Sequence, residues 1–393
     1  MNFLEIIRFI LKNTTESVEF LILCPIFAGF KKRRIDLHDF KAKRIFILQL
    51  NSIGDCLMTT PMLRALHEKF PEVSIDCAVR MHTKSLFENN PNVGNVFGFH
   101  DKFWRKFFTS PAYIRDFFKT LNFVRNNSYD MCIDLTGTFT SLLLVCLFKV
   151  KAVSGERKVV KAGIFRSNTS VIYDVVFEVK EKHISNQYLE IAGLLEHKYT
   201  SLKEELFLSG AEITSCDDFL WANKLTTRGY IVIHPGAKWP PKRWPPEYYA
   251  ELIKLMFTKL NLRTIVVCGR EDEKTAFYIK EKSGIKETGV AIGFSLKKLA
   301  VLIKKSSLFV GNDSGPAHIA AAVDVPSVVL FGPTDPGRCK PLSDKTLVLH
   351  DKISCWPCTL YYRRDRCERG KNVCLEGIKP EEVFNGAKKV MGK

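Results

Sequence analysis

Four side chains stand where they could do chemistry. Asp55 closes the tetrapeptide Ser-Ile-Gly-Asp (52–55), and Asp313 and His318 sit in Gly-Asn-Asp-Ser-Gly-Pro-Ala-His (311–318); each block follows directly on an apolar run. The fourth, Lys242, lies with Lys238 and Arg243 in His-Pro-Gly-Ala-Lys-Trp-Pro-Pro-Lys-Arg-Trp-Pro (234–245), a loop stiffened by four prolines in which Gly236 lets the backbone approach a ligand. An aspartate at the mouth of a crevice can take a proton from a hydroxyl. A helix opening offers unpaired N–H groups and a positive dipole end to an anion, and a lysine beside a diphosphate neutralises a leaving group without a metal. Each block also has a plainer reading. Asp55 can simply cap a helix, the glycines can serve close packing, and the basic loop can be a solvated surface.

Such residues need elements to hold them. Residues 308–310 read as a buried strand, 311–313 as a break, and Ser314 as the cap of a helix in which Gly315 and Pro316 occupy the opening turn; a further strand spans 325–331. This βαβ unit is a phosphate cradle in pattern. Near the other end of the chain, residues 45–50 read as a strand, 51–55 as a turn and 57–70 as a helix, so Asp55 belongs at the carboxyl end of the first strand, where ligands of open parallel sheets lie. Strands are further expected at 73–79, 131–135, 230–234 and 264–268, with helices at 188–195, 247–260 and 380–391. The pattern starts afresh at Gly229. The fold class expected is α/β, with two Rossmann-like halves and the boundary in the irregular stretch 203–228. The divisions are an extension at 1–40, a first domain at 41–215, a second at 216–380 and a closing helix at 381–393 that crosses back over the first half.

The 393 residues exceed one core and suit two domains of ordinary size. A formal charge of +17 predicts an anionic partner: nucleic acid, acidic lipid or a phosphorylated substrate. Residues 103–108, Phe-Trp-Arg-Lys-Phe-Phe, could stack bases, though a helix with a wet basic face explains them as well. A second basic stretch runs over 157–166. A nucleic-acid protein would need clustered stacking aromatics or a recognisable module, and the chain shows neither clearly, so nucleic acid is not an expected partner. In 1–40, Phe3, Ile7, Ile10 and Leu11 share a helical face opposite Glu5 and Arg8, and Lys31, Lys32, Arg33 and Arg34 follow a second apolar run. That run, 20–30, is too short to span a bilayer, which takes roughly 20 residues, and suits peripheral binding to an anionic leaflet or an added helical hairpin. No cleaved signal peptide is expected, because the first residues carry no strongly basic region and no convincing cleavage site.

Twelve cysteines are present, of which Cys56, Cys77, Cys132, Cys146 and Cys268 lie singly in or beside apolar segments, as small core residues in a reducing compartment do. Cys355, Cys358, Cys367 and Cys374 form C-x2-C-x8-C-x6-C beside Arg363, Arg364, Arg366 and Arg369. Two readings stand: a structural zinc site of non-standard spacing, or structural cysteines, reduced or disulfide-linked. The arginines meet acidic acceptor groups or form a wet surface.

Taken together, the four blocks Ser-Ile-Gly-Asp, 234–245, Cys-Gly-Arg-Glu-Asp-Glu (268–273) and 311–318 make the chain resemble glycosyltransferase family nine, the heptosyltransferases of lipopolysaccharide core assembly, from about Arg44 to the C-terminal helix. The resemblance implies a GT-B fold, two Rossmann-like domains facing a central cleft, and an enzyme at the inner face of the cytoplasmic membrane. It also implies an ADP-heptose donor and an anionic lipopolysaccharide inner-core acceptor. Asp55 matches the family's proposed base, and Lys242 its phosphate-contacting lysine before Trp-Pro. Glu271 matches the acidic residue near the adenosine ribose, with Glu273 two positions away. Asp313, Ser314, Gly315 and His318 match the donor block, where many relatives carry threonine in place of Ser314. Ala237 and Lys238 stand where some relatives have hydroxyl residues. Gly236 and Lys238 complete the donor side; Ser52, Gly54 and Thr136 are the acceptor-side candidates.

The expected reaction is an inverting transfer with Asp55 as base. Departing charge falls on Lys242 and the N–H groups at Ser314 and Gly315. No Asp-x-Asp metal pair is apparent, and neither a catalytic divalent ion nor a cofactor is expected. Another nucleotide-sugar transfer, or sugar-nucleotide epimerisation on the same fold, is the alternative of the same class.

Overall fold

The computed structural model describes residues 42–100, 111–137, 141, 144–145, 160–164, 175–177, 181–191, 201–358, 367, 369 and 371–392. The extension at 1–40, the aromatic and basic stretch 103–108, residues 157–159 and 165–166 of the second basic stretch, and Arg363, Arg364 and Arg366 lie outside them. Two compact units divide the chain, Met1–Ser201 and Leu202–Lys393.

The first unit is built on six parallel strands: β1 (Arg44–Gln49), β2 (Ser74–Arg80), β3 (Val96–Phe99), β4 (Met131–Asp134), β5 (Val160–Ile164) and β6 (Val175–Phe177). Their order is β3-β2-β1-β4-β5-β6. The central strand β1 is buried from Ile45 to Gln49, with Ile47 paired to Cys77 of β2 and to Ile133 of β4. A strand covered on both faces needs such an apolar run. Where one helix is expected over 57–70 there are two, Ile53–Met58 and Thr60–Lys69. The break has a covalent cause. Pro61 has no N–H to give to Leu57 O, and the Thr60 hydroxyl donates to that carbonyl instead at 2.7 Å.

The second unit repeats the plan with β7 (Tyr230–His234), β8 (Arg263–Cys268), β9 (Gly289–Ile292), β10 (Leu308–Asn312), β11 (Ser327–Phe331) and β12 (Thr346–His350), all parallel, in the order β12-β11-β10-β7-β8-β9. In both sheets the chain leaves its first strand in one direction and later returns to pair on its other side. The strand order therefore reverses between β1 and β4 and again between β7 and β10. Ligands of open parallel sheets bind at such switch points, outside the carboxyl ends of the strands.

Two boundaries differ from expectation. The second unit begins at Leu202 rather than near 216. The segment after it is tied into that unit by Lys203 Nζ on Asp324 at 2.8 Å, by Glu204 on His318, and by Lys297 Nζ on Phe207 O. The closing helix, Pro380–Met391, packs within the second unit: Val383, Phe384 and Ala387 join the core formed by β7, β8, β10, β11 and the helix Pro246–Leu260. The indole of Trp244, almost fully buried in the same core, donates to Ile378 O just ahead of that helix at 2.9 Å. Among the described residues no helix is long and apolar enough to cross a membrane.

Candidate active site

In the second unit the loops after β7, β8, β10 and β11 meet at the switch point, and Asn312 joins two of them. Fully buried at the end of β10, it accepts from Trp244 N at 3.0 Å and Tyr249 Oη at 3.1 Å, and donates to Pro235 O at 2.7 Å. A buried amide satisfied on three sides fixes the loop 235–244 against the end of β10. That fixing sets Lys242 beside Asp313. Lys242 Nζ is 2.7 Å from Asp313 Oδ2, the two side chains being 14% and 7% exposed. The Thr334 hydroxyl, from the loop after β11, donates to the same carboxylate oxygen.

A second pair backs the first. Arg243 Nη1 is 2.8 Å from Asp272 Oδ1, and Arg243 Nε donates to Ala237 O at 3.0 Å. Burial, and then the Arg243 charge, lower the His234 imidazole to about 4, so the ring is neutral at pH 7. Among the described residues its buried Nδ1 has no hydrogen-bond partner. Gly236 lies beneath these groups: a methyl there would come 2.6 Å from Asp272 Oδ2 and 3.1 Å from His234 Cε1. The glycine is thus required by the protein's own side chains.

Ser314 takes the N-cap position of the helix Gly315–Ala322 but does not cap it; its hydroxyl turns back to Asn312 O at 3.2 Å. The cap expected from the sequence is not made, because the hydroxyl is used on the preceding strand end. Within the opening turn Pro316 has no N–H and Ala317 N is taken by Ser314 O at 3.0 Å, so the N–H groups of Ser314 and Gly315 are the ones at the positive dipole end. His318, in the second turn, is 4% exposed, and its Nδ1 lies 3.0 and 3.1 Å from the two oxygens of Glu204, which is fully buried. Of the other candidates, Lys238 is exposed with Nζ 5.7 Å over the Trp239 ring. Glu271 is exposed and folds back over Gly269, whereas Asp272 is buried.

In the first unit Asp55 accepts from Ser52 N at 3.1 Å and Ser52 Oγ at 2.6 Å, both through Oδ2. The capping role is therefore real, and it occupies one carboxylate oxygen. Oδ1 has no hydrogen-bond partner among the described residues. Gly54 is buried beside it and Ser52 is exposed. Thr136, 1% exposed, accepts from Leu50 N at 2.8 Å and so ties the ends of β1 and β4. Asp134 receives Thr136 N and Gly137 N at 2.8 and 3.1 Å. Burial, and next the Asp55 charge, push the hydroxyl of Tyr188 far up, keeping it neutral beside Gln49 and Asn51. Arg80, at the end of β2, donates through Nε to Leu50 O.

Sequence reading missed Glu204, Asn312, Asp272, Tyr188 and Arg80. Asn312 had a signal, a lone amide closing a buried strand. Glu204 and Tyr188 had none, since they come from segments remote in sequence from the strand ends they meet.

The four C-terminal cysteines are free thiols, Cys355 exposed and the others half-buried. Burial, and then Cys367, with smaller effects of Cys355 and Cys358, push the Cys374 thiol up to about 11. Among the described residues no three His, Cys, Asp or Glu side chains are placed to hold a metal ion, so the zinc reading gains no support there.

Residues 115–367 match the profile of Glycosyltransferase family 9 (heptosyltransferase). Lipopolysaccharide heptosyltransferase 3 of Escherichia coli (strain K12) is 27% identical over 297 residues, covering 72% of this chain and 80% of that protein. The glycosyl transferase family 9 structure from Veillonella parvula DSM 2008 superposes with a TM-score of 0.73 at 22% identity, covering 89% of this chain and 97% of that one. E. coli heptosyltransferase WaaC, solved with ADP-2-deoxy-2-fluoro heptose, gives a TM-score of 0.65 at 21% identity over 88% of this chain and 99% of that one. With the two sheets, these likenesses establish the fold as GT-B, with two Rossmann-like domains.

Proposed function

This chain belongs to glycosyltransferase family 9, and from that we propose that it moves a heptose from ADP-heptose to the inner core of lipopolysaccharide with inversion. The observation that carries the donor half is the buried pairing of Lys242 with Asp313 at the β7/β10 switch point, beside the opening of the helix Gly315–Ala322. An ammonium has three donors, so a lysine bonded to a carboxylate can also meet phosphate oxygens. The ADP-heptose analogue held by the E. coli relative supports the same donor class.

In this reading the second unit binds the donor. The diphosphate lies against Lys242 and the N–H groups at Ser314 and Gly315, Lys238 and Gly236 border it, and Glu271 meets the ribose. The first unit receives the acceptor at Ser52, Gly54 and Thr136. Oδ1 of Asp55 takes the proton of the acceptor hydroxyl as its oxygen bonds to the anomeric carbon, while the bond from that carbon to the diphosphate oxygen breaks on the opposite face. The new negative charge on ADP falls on Lys242 and the helix opening, so no divalent ion is needed. The acceptor is membrane-borne, and the enzyme works as a peripheral protein on the cytoplasmic side of the membrane, helped by its formal charge of +17.

The deciding assay incubates the protein with ADP-heptose and heptose-deficient lipopolysaccharide and follows ADP release and glycan mass. Transfer by the native protein and its loss in Asp55→Ala with ADP binding retained are the expected results. Absence of transfer from ADP-heptose, with transfer from another nucleotide sugar, would replace the donor assignment.

A further inference from the structure

Glu204 has no exposed surface, and among the described residues the partners that hold its carboxylate are His318 Nδ1 at 3.0 and 3.1 Å and Leu342 N at 3.4 Å. One long backbone contact does not compensate a buried negative charge. An ionised carboxylate removed from water is tolerated when a cation is bonded to it. His318 is the cation in reach, its ring facing both carboxylate oxygens, and it stands in the second turn of the helix whose opening borders Lys242 and Asp313.

We propose that Glu204 is a positioning residue for donor binding: it holds His318 as an imidazolium, through Nδ1–H, and fixes the plane of the ring. The proposal rests on the donor reading given above and adds a residue to it. Two consequences follow from the geometry. The neutral tautomers are disfavoured, because either leaves the buried carboxylate without a matching charge. The helix end that receives the diphosphate also gains a fixed positive charge that lysine side chains on the surface cannot supply with the same orientation. The other charged groups nearby are already committed. Asp313 on β10 holds Lys242, Lys297 of the helix Leu296–Lys304 donates to Phe207 O and lies 3.7 Å from Glu212, and Asp324 beyond the helix's far end holds Lys203 and Lys345. None of these replaces Glu204 as the partner of Nδ1.

The test uses the full chain labelled with ¹⁵N-histidine, the His318 resonances being identified by their absence in His318→Gln. At pH 7 both ring nitrogens should show imidazolium shifts in the native protein and revert to a neutral tautomer in Glu204→Gln, which keeps size and an acceptor oxygen but removes the charge. A neutral His318 in the native protein, or an unchanged imidazolium in Glu204→Gln, overturns the proposal. Should Glu204→Gln not fold, the native spectrum alone decides it. Calorimetry with ADP-heptose supplies the functional arm. Affinity should fall about tenfold in Glu204→Gln, in the range that loss of an orienting partner costs, and should lose its decline with rising pH. Native protein that binds no ADP-heptose would sink the donor reading, and with it the positioning role. Equal affinity and equal pH dependence in both proteins would sink the positioning role while the donor reading stands.

Discussion

Lys242 Nζ and Asp313 Oδ2 meet at 2.7 Å although 71 residues separate them. Both side chains are nearly buried, so each helps to compensate the other for leaving water, and removing one leaves a buried charge without its ion-pair partner.

Lys242→Met should therefore lose stability, by about 3 kcal/mol for a broken buried pair, and should lose kcat by roughly 10² to 10³ for a missing stabiliser of departing charge. The double variant Lys242→Met with Asp313→Asn separates the two effects. Removing both charges recovers much of the stability and none of the turnover. Urea unfolding and steady-state kinetics on the three proteins make the comparison; recovery of turnover in the double variant would show that the lysine acts only structurally.

Asp55 carries a cap and, in the proposed reaction, a base, and two substitutions tell them apart. Asp55→Asn keeps an oxygen for Ser52 N, so its stability should stay close to native. Asp55→Ala loses the bonds from Ser52 N and Oγ and should cost about 1 kcal/mol. Both should lower transfer by roughly 10² to 10⁴, the usual worth of a general base. Turnover that tracks stability, with Asn near native, would reduce Asp55 to its capping role.

Acid should find His234 first. Its ring is held at about 4 by burial and by Arg243, against about 6.5 in an unfolded chain. Between those values the unfolded state binds the proton and the native state does not, so stability rises with pH through this window and falls as pH drops from about 6.5 to 4. The full loss is of order 3 kcal/mol. His234→Asn should flatten that part of the curve of unfolding free energy against pH. A slope unchanged by the substitution would assign the acid sensitivity elsewhere.

The elements that carry the site were readable because their physics is local. The strand at 230–234, the helix ending at Leu260 and the helix over 380–391 match their apolar patterns to within a residue. The strand expected at 308–310 runs on through Gly311 to Asn312, and the helix Gly315–Ala322 follows where the cap and opening turn were expected. What escaped was set by contacts between remote segments. Glu204 gains its role from His318, 114 positions away, and Asn312 from Pro235, 77 positions away. The final helix was expected to cover the first half, and Trp244 and the β11–β12 face hold its neighbourhood in the second. Pro61 was visible in the sequence, but its effect was masked by an apolar periodicity that runs through it.

Gly236 gives a test in which sequence and structure supply different reasons for the same residue. If the glycine served only the approach of a ligand, Gly236→Ala would leave the unliganded protein as stable as native and weaken donor binding alone. The structure instead puts Asp272 Oδ2 2.6 Å from the place of the new methyl, and that carboxylate is held by Arg243 at 2.8 Å. To make room, Asp272 must leave the guanidinium or the loop must shift away from His234. Overpacking of this kind costs about 1 to 3 kcal/mol. Gly236→Ala should therefore lower the unfolding free energy by that amount without any ligand present. It should also raise the His234 titration above 4, because the Arg243 charge that helps hold it down moves with its partner. Unliganded stability equal to native would return Gly236 to the ligand-approach role.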